Sequence, residues 1–293
     1  MNLDTLFPFK RHFLTLHGQQ YHYLNEGNGE PVVMVHGNPS WSFYYRNLVT
    51  ALSAQYQCIV PDHIGCGLSD KPSDKDYDYT LSQRINDLEA LLDHLNITEN
   101  ITLVVHDWGG MIGMGYAARY PERIKRLVIL NTAAFNLPDS KMFPIPLWIC
   151  RNTYIGTVLV RGLNAFSSIA SYVGVKRKKM PSAIRKAYVA PFNSWKNRIS
   201  TLRFVQDIPL SPQHRNYQLV EQISASLQHF QSTPTVICWG LKDFVFDKHF
   251  LARWKLKMPH ATVNEFPDCG HYILEDASNE VINIVQKFMV ENP

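Results

Sequence analysis

Six short runs of β-branched and apolar residues punctuate the chain: 32–35 (VVMV), 57–60 (QCIV), 101–105 (ITLVV), 126–130 (RLVIL), 235–239 (TVICW) and 261–266 (ATVNEF). Between most of them lie segments of helical periodicity, such as 81–95 and 111–120. Strands alternating with helices predict an α/β fold whose sheet is mostly parallel and flanked by crossover helices. The rhythm stops from about 135 to 231. There, amphipathic segments rich in Arg and aromatic residues are broken by Pro144, Pro146, Pro181, Pro191, Pro209 and Pro212. The expected organisation is a core built from 1–135 and 232–293, with 136–231 inserted as a helical cap.

At 293 residues, with 45% hydrophobic and 18% charged side chains, the chain can bury one large core and carry such an insert. A net charge of +4 with no long basic face argues for a small-molecule substrate and against nucleic acid. The densest charge run, VKRKKMPSAIRK at 175–186, reads first as a solvated helix face and second as a docking patch for a protein or membrane surface. The start, MNLDTLFPFKRHF, lacks the basic-then-apolar order of a secretory signal. The most apolar window, 104–118, is interrupted by Asp107, so no membrane span is expected. Cys58, Cys66, Cys150, Cys238 and Cys269 are odd in number and show no CxxC or metal-ligand spacing. Reduced thiols in a cytoplasm, with no metal and no cofactor, are the expectation.

The stretch ITLVVHDWGGMIG at 101–113 passes from a strand through an acid into glycines. A strand, a tight turn and a small-residue helix in that order is where α/β hydrolases place the nucleophile of G-x-S-x-G. Here the letters are Val105-His106-Asp107-Trp108-Gly109, so the serine is replaced by a carboxylate. Ligands of open parallel sheets sit beyond the carboxyl ends of the strands. Four such ends carry polar chemistry: His36-Gly37-Asn38-Pro39, His106-Asp107-Trp108, Gly240-Leu241-Lys242-Asp243 and Asp268-Cys269-Gly270-His271-Tyr272. Their chain order is nucleophile, acid, histidine, as in α/β-hydrolase triads. Alone, an Asp after a strand is more often a helix cap and a Gly-His more often a turn; together the four ends point to catalysis by Asp107, Asp243 and His271.

The segments HGNPSW, PDHIGCGLSDKP, VVHDWGG, GLKD and GHY resemble the haloalkane dehalogenase group of α/β hydrolases. The resemblance implies that Asp107 attacks carbon to give an alkyl-enzyme ester, that His271 activates water and that a second acid orients His271. A carboxylate suits an electrophilic carbon bearing a good leaving group. The backbone N–H groups of Trp108 and Asn38 would stabilise charge on an Asp107 oxygen, and their side-chain N–H donors would hold a departing anion without giving it a proton. One branch of the group carries a glutamate after the strand RLVIL; this chain has Asn131 there, so Asp243 must serve, with Asp247 as its competitor. Epoxide hydrolases also use an aspartate nucleophile but need cap tyrosines, for which Tyr154, Tyr172 and Tyr188 are available.

The segments LNTAAFNLP, LVRGLNAFS, SWKNRISTLRFVQDIPLSP and CWGLKDFVFD are similar to a sub-branch of long-chain olefin biosynthesis, the β-lactone decarboxylases. That resemblance implies conversion of a cis-3,4-dialkyl β-lactone to a cis-alkene and carbon dioxide, with haloalkane hydrolysis as the alternative. It also implies partners, a β-lactone synthetase and a reductase gathered in a cytoplasmic assembly. Residues 147–149 (LWI) and 164–166 (NAF) are candidates to line the alkyl-chain sites, although such apolar stripes are more often plain packing.

Overall fold

The computed structural model describes residues 3–293; residues 1 and 2 of the expected core lie outside them. Eight strands form one sheet: β1 (His12–Leu16), β2 (Gln19–Glu26), β3 (Pro31–Val35), β4 (Gln57–Pro61), β5 (Ile101–Asp107), β6 (Ile124–Thr132), β7 (Thr235–Gly240) and β8 (Thr262–Phe266). Their order is β1-β2-β4-β3-β5-β6-β7-β8. β2 runs antiparallel to β1 and β4; every other pairing is parallel. The mostly parallel α/β sheet of the sequence analysis is therefore present, and all six expected strands belong to it.

The apolar runs are continuous because both faces of the sheet are covered. Val33, Val35, Leu103, Val105, Leu127, Ile129, Ile237 and Trp239 enter one core. Their alternating neighbours Val32, Met34, Val104, Val128, Leu130, Val236 and Cys238 enter the other. The two-residue period of a strand sends successive side chains to opposite faces, so a half-exposed sheet would have required every second residue to be polar.

The helices are α1 (Leu3–Leu6), α2 (Arg46–Leu52), α3 (Leu81–His94), α4 (Trp108–Arg119), α5 (Ile145–Asn152), α6 (Tyr154–Thr157), α7 (Ala165–Val173), α8 (Ser182–Val189), α9 (Ile199–Gln206), α10 (Tyr217–Ser226), α11 (Lys248–Lys257), α12 (Ile273–Asp276) and α13 (Ser278–Glu291). Leu81, Ile85, Leu88 and Leu92 place the buried stripe of α3 against the first core. Thr80 caps that helix by accepting the Gln83 N–H at 3.2 Å. Val281, Val285, Phe288 and Met289 do the same for α13 in the second core. Helices α5 to α9 follow one another between β6 and β7, and α10 turns back to the core, where Ile223 lies near Gly115 of α4.

Candidate active site

Strand β5 is buried along its length and ends on Asp107 at φ 52°, ψ −126°. A non-glycine residue rarely holds that backbone, and here it lifts the carboxyl group off the sheet ahead of α4. Two glycines allow the approach. A Cβ on Gly109 would overlap the Val35 carbonyl oxygen, and one on Gly37 would overlap the Asp107 carboxyl group itself. The oxygen Oδ1 of Asp107 accepts the backbone N–H of Asn38 at 2.5 Å, and the Trp108 N–H also donates to the carboxyl group. Burial raises the Asp107 pKa to about 6, against the pull of His271 and of these two donors.

The other carboxyl oxygen, Oδ2, lies 3.7 Å from Nε2 of His271. On the far side of the imidazole, Nδ1 lies 2.8 Å from Oδ2 of Asp243. A carboxylate only accepts, so Nδ1 carries a proton and Nε2 is the ring nitrogen turned toward Asp107. Burial alone would lower the His271 pKa, but Asp243 first and Asp107 second outweigh it and the net direction is upward. Phe246 stacks on the ring with centroids 5.9 Å apart. The structure thus brings together Asp107, His271, Asp243 and the backbone donors of Asn38 and Trp108.

Asp247 stands elsewhere: it caps α11 by accepting the His249 N–H at 3.0 Å and pairs with Lys141 at 2.6 Å. The His36 imidazole is fully buried, with Nδ1 donating to the Gly37 carbonyl at 2.8 Å, so it shapes the loop that presents Asn38. The Asn38 side chain spends one N–H on the Thr201 carbonyl at 3.1 Å, and its Oδ1 is buried without a partner. Two neighbours of the site were not assigned from sequence. Asn131 donates to Asp243 Oδ2 at 3.1 Å and accepts the Gly240 N–H at 2.8 Å, fixing the acid that faces His271. His106 donates to the His271 carbonyl at 2.9 Å and pins that loop from below. The available signal for Asn131 was a lone amide closing an apolar strand, at a φ of 29° that Asn tolerates better than most residues.

Above Asp107 and His271 opens a cavity of about 640 Å³. Asn38, Asp107, Trp108 and His271 make its floor, while Phe135, Leu147, Ile149, Leu159, Phe166, Val173, Val205, Ile208, Phe244 and Phe250 make apolar walls. Of the residues singled out as alkyl-site candidates, Leu147, Ile149, Ala165 and Phe166 line it, and Trp148 and Asn164 do not. None of the three cap tyrosines is among the lining residues. Tyr154 and Tyr172 face solvent, and Tyr188 is buried against Glu275, to which its hydroxyl donates at 2.6 Å.

A sequence profile of the alpha/beta hydrolase fold matches residues 30–278. The chain belongs to the alpha/beta hydrolase fold family. Within that family it is 76% identical over 289 residues to a cis-3-alkyl-4-alkyloxetan-2-one decarboxylase from Shewanella oneidensis, a match spanning 99% of this chain and 91% of the relative. A protein of the same name from Xanthomonas campestris is 52% identical over 278 residues, with 92% of each chain covered. Among solved structures of the alpha/beta hydrolase fold, a haloalkane dehalogenase from Agrobacterium tumefaciens superimposes with a TM-score of 0.87 at 22% identity, covering 97% of both chains. That likeness concerns the fold.

Proposed function

We propose that this alpha/beta hydrolase is a β-lactone decarboxylase that converts cis-3,4-dialkyl β-lactones to cis-alkenes and carbon dioxide through an Asp107 ester. The observation that carries the substrate assignment is the 76% identity over 99% of the chain to a decarboxylase whose substrate is a dialkyl oxetan-2-one, the four-membered β-lactone ring. The geometry supports the route. With Oδ1 held by the Asn38 N–H, Oδ2 of Asp107, on the His271 side, is the oxygen proposed to attack. It bonds to the ring carbon that bears oxygen, the C–O bond breaks, and the freed carboxylate stays tethered to the neighbouring carbon. That carboxylate then leaves as carbon dioxide, its C–C electron pair forms the double bond, and Asp107 departs with the electrons of its ester bond. Inversion followed by anti elimination makes a cis ring yield a cis alkene. Attack on the lactone carbonyl to form a mixed anhydride is the other first step compatible with the same residues.

Neither route consumes water or moves a proton, which suits a floor whose neutral groups are N–H donors. Asn38 and Trp108 are proposed to steady the carboxylate as it is released. His271, oriented by Asp243, would hold the charge on Asp107 and hydrolyse any ester that fails to eliminate. A strained lactone must be made before it is opened, so a β-lactone synthetase, supplied in turn by a reductase that makes the hydroxy acid, is the proposed partner set. A cytoplasmic setting goes with this reading and is supported by the five free cysteines; no helix among the described residues is long and apolar enough to cross a membrane.

Purified protein given a synthetic cis-dialkyl β-lactone tests the assignment. Carbon dioxide and cis-alkene should form with little β-hydroxy acid, and Asn38→Ala or Trp108→Phe should slow the reaction about 10- to 1,000-fold, the scale of losing one preorganised donor. Multiple-turnover halide release from haloalkanes, with the lactone left intact, would transfer the assignment to dehalogenation.

A further inference from the structure

From residue 140 to 206 the chain contains twelve Lys and Arg residues and no Asp or Glu, leaving 17 cations against 25 carboxylates elsewhere. Among the described residues, only Lys141, Arg177 and Arg203 of these twelve pair with a carboxylate, each reaching out of the segment to do so. The same segment holds ten of the 14 large apolar side chains that face solvent among the described residues, including Ile145, Trp148, Tyr154, Ile155 and Leu163. Cations and aromatics adjoin: Arg185 lies 4.5 Å over Tyr172, and Arg161 4.7 Å over Trp195. Ile169 and Phe244 are at once exposed and part of the cavity wall, so the cavity opens within this surface.

We infer that the exposed surface of these inserted helices, which form a lid along the cavity wall, docks on an anionic phospholipid bilayer and lets the cavity exchange lipophilic molecules with it. Unpaired cations attract the anionic headgroups, interfacial Trp and Tyr sit at headgroup level, and the aliphatic side chains enter the acyl boundary. Nucleic acid would satisfy the cations but leave Ile155 and Leu163 without a partner. The choice of a bilayer over an acidic protein rests on the proposed reaction, whose dialkyl substrate and alkene product both prefer lipid to water.

Flotation of the full chain with vesicles tests the inference without needing turnover, so failure of the lactone assay and failure of docking are separate results. Binding to mixed phosphatidylcholine–phosphatidylglycerol vesicles should be at least about tenfold tighter than to phosphatidylcholine alone and should weaken in high salt. The double variant Lys178→Gln with Lys179→Gln should lose about 10- to 30-fold in binding, whereas Lys178→Arg with Lys179→Arg should keep it. Ile155→Ser with Leu163→Ser should also bind more weakly, and circular dichroism of all variants should be unchanged. Equal partition to neutral and anionic vesicles, or no binding to either, overturns the inference. Retention on a polyglutamate resin without vesicle binding also overturns it and points to an acidic protein surface.

Discussion

At the scale of single residues the proposed chemistry turns on how burial and neighbouring charge act on Asp107 and His271. Asp107 can attack only as a carboxylate, and burial has raised its pKa to about 6. The ionised fraction therefore falls about tenfold for each pH unit below that value. The profile of kcat/KM for the lactone should show an acid limb near pH 6; a rate still flat at pH 4.5 would remove Asp107 as the attacking group. His271 supplies a second test. Ester hydrolysis needs a base to activate water, whereas elimination regenerates Asp107 without one. His271→Ala should thus cost about 100-fold or more on any haloalkane turnover and about tenfold or less on lactone decarboxylation. Equal losses on both substrates would give the imidazole a direct part in the lactone step.

At the scale of elements, one buried carboxylate ties the N-terminal strands to the loop carrying Asn38. Asp62, just beyond β4, accepts the Ser42 N–H at 2.6 Å and the Leu68 N–H at 2.8 Å, and pairs with His22 of β2 at 2.8 Å. Burial alone would raise its pKa, but His22 and the backbone donors hold the carboxyl well below the usual carboxylate range. A depressed folded-state pKa gives stability that is present above the unfolded value of about 4 and is lost as pH falls through the folded one. Asp62→Ala strands three buried donors, and we expect a loss of about 3–5 kcal/mol in urea unfolding at neutral pH. A loss below about 1 kcal/mol would show that the junction is held by other contacts.

At the scale of the whole molecule, the sheet supplies the floor of the site and the lid supplies much of its wall. The floor comes from the ends of β3, β5 and β8, and α5 and α7 supply much of the wall. Chain-length preference therefore belongs to the lid. Phe166 lines the cavity from α7, and Phe166→Trp should raise KM about tenfold or more for the longest alkyl substrates while leaving short ones unchanged. Uniform loss across chain lengths, measured by alkene formation over a substrate series, would show that the residue shapes the floor instead.

The sequence alone determined the strands whose side chains are buried on both faces, because continuous β-branched runs have no other use in a chain of this kind. It also determined which loop ends meet, since a parallel sheet delivers the residues after its strands to one edge. The hairpin of β1 and β2 was less legible. Its segment, HFLTLHGQQYHYLNE, mixes His, Gln and Asn with apolar residues, and its turn depends on positive φ at both His17 and Gly18. The sequence put Asp243 ahead of Asp247, and the tertiary structure gave the two their separate partners: both follow β7 within seven residues, but the first faces His271 and the second closes a helix. It alone gave Asn131 its place, because a hydrogen bond to Asp243 spans 112 positions of chain and leaves no local pattern. It also decided that the cap tyrosines stand away from the cavity. Spacing along a chain reports which face of an element is apolar, whereas the partner of a buried polar group is set by packing between distant elements.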